Sequence, residues 1–97
     1  MRRAVHGEEL ARFPGGTLVS DGIEDLERGE STIAALLVSI GAPRLDRLGF
    51  QVPNPIQSPE HRLYELLAAE DAESAHGRYN ALIRRLVSFE RAAECAS

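Results

Sequence analysis

Between residues 72 and 93, apolar side chains return at alternating four- and three-residue steps: Ala75, Tyr79, Leu82, Leu86, Phe89 and Ala93. A helical turn holds about 3.6 residues, so this rhythm places all six on one stripe. Ile83 and Val87 widen the stripe, while Arg78, Arg84, Arg85 and Arg91 fall largely on other faces. A helix of this kind is held mainly by what its apolar face packs against, so the stripe demands a covering surface. It carries no reaction chemistry of its own.

The chain has 97 residues, room for one small helical domain spanning 1–97. A chain this size buries only roughly 60–68% of its unfolded surface. Association with a second copy or another protein is therefore a natural supplement to its core. The net charge is −4, from 15 acidic and 11 basic residues, and every basic residue is arginine. That balance argues against a general attraction to nucleic acid or anionic membranes. The single cysteine, Cys95, excludes an intrachain disulfide and leads to the expectation of a reducing, cytoplasmic location. Glu8 and Glu9 follow Arg2-Arg3 where a secretory signal would carry an apolar run. The longest apolar run, 33–38, falls far short of the ~20 residues of a membrane span, so no membrane association is expected.

Residues 1–19 are weakly patterned and are expected to form a weakly ordered N-terminal segment. Pro14-Gly15-Gly16 stops any helical turn begun at Glu8, and the β-prone Thr17-Leu18-Val19 is too short to pair alone. Ser20 or Asp21 reads as the N-cap of a short helix ended by Gly29. Ser31 reads as the next cap, opening a stretch, 33–40, that is apolar all round except for Ser39. Such a helix is buried on most sides. Gly41 and Pro43 end it, and Arg44 to Leu48 adds a turn closed by Gly49. Pro53, Pro55 and Pro59 mark 50–58 as a stiff connector with Phe50, Val52 and Ile56 tucked inward.

Ser58-Pro59-Glu60 starts the last helical region, 59–94. The apolar stripe lapses near 70–74. Either Asp71 caps a second helix there and the region is an antiparallel hairpin, or one rod ~50 Å long continues. No Gly or Pro marks a turn, but so small a chain cannot cover such a rod, and the hairpin is preferred. The expected fold class is all-α: a small bundle of four to five helices with a long C-terminal helix or helical hairpin.

The first functional expectation is a protein–protein interaction or regulatory adaptor module. It would self-associate as a homodimer through Ala75, Tyr79, Leu82, Ile83, Leu86 and Phe89. The second is nucleic-acid binding through the Arg78, Arg84, Arg85 and Arg91 face, with Asn80 as a further contact. Against it, Glu90 and Glu94 are spaced to pair with these arginines, and no aromatic residue interleaves to stack bases. Gly77, costly inside a helix by about 1 kcal/mol relative to Ala, reads as a tight helix crossing or as a ligand contact beside Arg78 and Asn80.

The third expectation is a metal-dependent enzyme. Glu73 and His76 lie one helical turn apart, a pairing that carboxylate-bridged di-metal bundles use twice. Here it occurs once, with Glu60, His61 and Glu65 on the preceding segment. From one such pair neither a metal nor a cofactor is assigned. A helix-turn-helix over 33–50 is disfavoured by Pro43 and Gly49 in its would-be recognition helix. Cys95, Ser20 and Ser88 lack a placed base, so no catalytic residue is named.

Overall fold

Asp71 decides between hairpin and rod. Its backbone leaves the helix in an extended conformation, φ −162°, ψ 102°. Its carboxylate accepts the Glu73 backbone N–H at 3.2 Å, and its carbonyl accepts the Ser74 hydroxyl at 3.4 Å. Short polar side chains offer the backbone this alternative to helix, so the break needs neither Gly nor Pro. Asp71 thus closes the first helix of a hairpin and does not cap the second.

The computed structural model describes residues 10–96. Five helices lie wholly within the described residues, in order α1 Gly16–Glu27, α2 Ile33–Ile40, α3 Ala42–Arg47, α4 Pro59–Glu70 and α5 Ala75–Ala96. No strand occurs among the described residues, and the molecule is the expected all-α bundle. α2 is its centre and packs against all four other helices. That placement explains a helix without a polar face: residues 34–39 are buried, and Ile33 and Ile40 half-buried. Its one hydroxyl is satisfied twice, because Ser39 Oγ donates to the Ala35 carbonyl at 2.8 Å and accepts the Ile56 N–H at 3.0 Å. The second bond ties the proline-rich connector to the core. Phe50, Val52 and Ile56 pack inward along it as expected.

The N-terminal reading is corrected from Leu10 onward. Leu10 is buried, and Phe13 stands edge-on to Phe89 with ring centroids 5.8 Å apart. α1 begins at Gly16, so Ser20 and Asp21 lie inside it and cap nothing. Thr17-Leu18-Val19 joins the helix because Val19 reaches the core beside Leu26, and tertiary packing overrides β propensity. Gly15 starts the turn in the left-handed conformation, φ +75°. Residues 1–9 and 97 lie outside the described residues, and so does the rest of that expectation.

Other ends differ by one residue or by mechanism. Thr32, not Ser31, caps α2: its Oγ1 accepts the Ala35 N–H at 3.1 Å and donates to the Asp25 carboxylate, linking the start of α2 to the end of α1. Gly41 ends α2 as expected, as its C-cap, but the chain turns there directly into α3, whose first turn accommodates Pro43. Ser58 precedes α4 but makes no capping bond; it sits in the left-handed region at φ +52°, not in the extended conformation of a capping residue. Gly29 does close α1 as expected. It is left-handed, and its N–H and that of Glu30 return to the Leu26 and Asp25 carbonyls.

Candidate interaction surface

The stripe on α5 serves two purposes along its length. Ala75, Leu86, Phe89 and Ala93 are buried within one chain. Phe89 is enclosed by Phe13 and by Phe50, whose ring centroid is 5.4 Å away. Three residues expected at an interface, Ala75, Leu86 and Phe89, therefore belong to the chain's own core. A domain this small cannot spare them. The remaining candidates, Tyr79, Leu82 and Ile83, are half-buried and flank the core without entering it.

Tyr64 of α4 lies beside them. Its ring centroid is 5.8 Å from that of Tyr79, tilted by 54°, and the residue is 38% exposed. The aromatic residues thus segregate: all three Phe meet at the core, and both Tyr meet at the surface. Burial pushes the Tyr79 phenol above its ordinary pKa, and the Glu60 carboxylate adds to the shift. The phenol stays a hydrogen-bond donor at neutral pH. Tyr64 was not among the expected interface residues. Its signal was faint, an apolar position beside the α4 face whose partner becomes visible only once the hairpin closes.

The polar candidates divide. Arg78 is engaged: its guanidinium pairs with Glu70 at 2.8 Å across the hairpin turn. Asn80 Nδ2 lies 3.2 Å from His76 Nε2 on the same helix. Gly77 is exposed, and a Cβ there would meet nothing within 4 Å, so it marks no helix crossing. The expected pairing of Glu90 and Glu94 with helix neighbours is replaced by contacts elsewhere. Glu94 reaches Arg44 of α3 at 2.7 Å, and Glu90 turns inward. Arg84, Arg85 and Arg91 are left exposed.

Glu90 is only 5% exposed, with a carboxylate oxygen against Gly41 at the α2–α3 bend. Its inward position departs from the expected salt-bridged face; the signal that could have found it is that residue 90 falls one turn after Leu86 on the edge of the stripe. Desolvation raises its pKa, opposed in part by Arg44 and Arg47. The folded chain then holds this proton more tightly than the unfolded chain. Stability is lost as pH rises from the ordinary carboxyl value through the raised one. Glu90→Gln is expected to be more stable than the parent to denaturant at about pH 7, with the difference vanishing near about pH 3.5. A difference that persists unchanged at the lower pH would assign the effect to packing, not charge.

The metal candidates do not converge. Glu73 contributes its backbone N–H to the turn, His76 faces Asn80, and His61 Nε2 lies 3.0 Å from Glu65 one turn along α4. Among the described residues no group of three His, Cys, Asp or Glu side chains is placed to hold a metal ion. Cys95 is exposed near the end of α5. No helix among the described residues is long and apolar enough to cross a membrane. Compared with known proteins, the chain matches no family model, no curated protein and no solved structure.

Proposed function

We propose that the chain is a small helical interaction module, of structural or regulatory adaptor type, which pairs with a second copy of itself in the cytoplasm. The pairing surface is Tyr79, Leu82 and Ile83 on α5 with Tyr64 on α4. The observation that supports it is the tyrosine pair: two amphipathic rings at the surface, flanked by aliphatic side chains that the core leaves half-covered. Tyrosine is enriched at interfaces because one end is apolar and the other hydrogen-bonds. The Arg78–Glu70 ion pair bridges the hairpin beside this surface.

Sedimentation of the wild type is expected to show a dimer. Leu82→Asp should give a folded monomer, because Leu82 flanks the core without being enclosed by it. Joint Tyr64→Ala and Tyr79→Ala should weaken pairing by about thirtyfold or more, the scale of a central aromatic anchor. A wild type that stays monomeric at high concentration would end the proposal.

A second reading is favoured by the exposure of Arg84, Arg85 and Arg91, whose expected acidic neighbours turn elsewhere. These side chains would meet nucleic-acid phosphates. Affinity for an oligonucleotide should then fall steeply with salt, and a flat response discards the reading.

A further inference from the structure

Ala81, Arg84, Arg85 and Ser88 are spaced i, i+3, i+4 and i+7, which sets them on one face of α5. This face is distinct from the stripe that enters the core. Along it two long cationic side chains rise between two small residues, so the helix surface is low on either side of them. The Pro14-Gly15 turn forms the opposite wall. It is seated closely on α5: a Cβ at Gly15 would lie 2.8 Å from the Arg85 carbonyl oxygen. Together these six residues line an open notch of about 290 Å³.

We propose that this notch binds a phosphate group. No acidic residue lines it, in a chain whose net charge is −4. Among the described residues Arg84 and Arg85 form no ion pair, unlike Arg28, Arg44 and Arg78. No Asp or Glu lies three or four residues from either arginine along α5, where a helix neighbour could neutralise it. Guanidinium forks match the oxygens of a phosphate, and the Ser88 hydroxyl adds a neutral donor one turn beyond Arg84. No aromatic residue lines the notch, so recognition ends at the phosphate and does not extend to a base. This proposal does not rest on self-association and is tested apart from it.

The test is a titration of the isotope-labelled full chain with inorganic phosphate, followed by amide shifts. Saturable shifts centred on Gly15, Arg84, Arg85 and Ser88 are expected. Joint Arg84→Gln and Arg85→Gln should weaken the response at least about tenfold, given two charge-assisted bonds lost. Ser88→Asp, which puts a carboxylate into the notch, should do the same, and Arg62→Gln on α4 should not. A mononucleotide and a single-stranded oligonucleotide form two further arms. Equal affinity per phosphate identifies a free phosphorylated small molecule as the source; tightening with length identifies a nucleic-acid backbone. Absence of saturable shifts, or a response undiminished in both notch variants, overturns the proposal.

Discussion

Phe89→Ala is expected to cost about 3–5 kcal/mol, the range for emptying a fully enclosed aromatic site. Phe89 is 0% exposed and is touched edge-on by Phe13 and obliquely by Phe50. Those two rings come from segments outside the five helices, and each helps to anchor its segment on α5. Phe13 precedes the turn into α1, and Phe50 opens the proline-rich connector. Removing the central ring therefore leaves a cavity and also takes one anchor from each flanking segment. A domain of this length commands about 5–15 kcal/mol in total, so the variant should unfold at a much lower denaturant concentration, with Phe50→Ala intermediate. Calorimetry or chemical denaturation reads the effect. A loss below about 1 kcal/mol would mean that the three-ring cluster does not form.

What was legible in the sequence and what was not follows from the range of each interaction. The stripe at 75, 86, 89 and 93 was legible because a helix converts spacing into a face without help from the rest of the chain. The buried character of 33–40 was legible for the same reason. The caps fared worse. Ser31 and Thr32 are adjacent hydroxyls, and the choice of Thr32 is made by Asp25 in the preceding helix, which accepts its proton. Ser58 has the right identity for a cap, but its backbone is left-handed where a capping residue is extended. The start of α1 was missed because a β-prone triplet becomes helical only when Val19 and Leu26 find the core. At the surface, Tyr79, Leu82 and Ile83 were readable as part of a stripe. Which part of that stripe the chain keeps for itself depended on where Phe13 and Phe50 came to rest. The phosphate notch was half-visible: the arginine pair stood out, but the Pro14-Gly15 wall is distant in sequence.

Gly22 and Gly77 show how far this limit extends, and they yield the second large effect. Both are glycines inside helices, and intrinsic propensity gives the same forecast for each: alanine is better by about 1 kcal/mol. At Gly77 nothing lies within 4 Å of a new Cβ, so Gly77→Ala should gain most of that amount. At Gly22 the new Cβ would lie 2.3 Å from the Ala34 carbonyl oxygen and 2.8 Å from Val38 Cγ1. The oxygen belongs to the backbone of α2, which is packed on every side and cannot step back. Overpacking costs of about 1–3 kcal/mol, and more where the obstacle is rigid, then exceed the propensity gain. Gly22→Ala should thus lose about 2 kcal/mol or more while Gly77→Ala becomes more stable, a difference in sign that thermal melts resolve without ambiguity. Two favourable responses would mean that α1 does not cross α2 at Gly22, and the placement of α2 at the centre of the bundle would fall with that crossing.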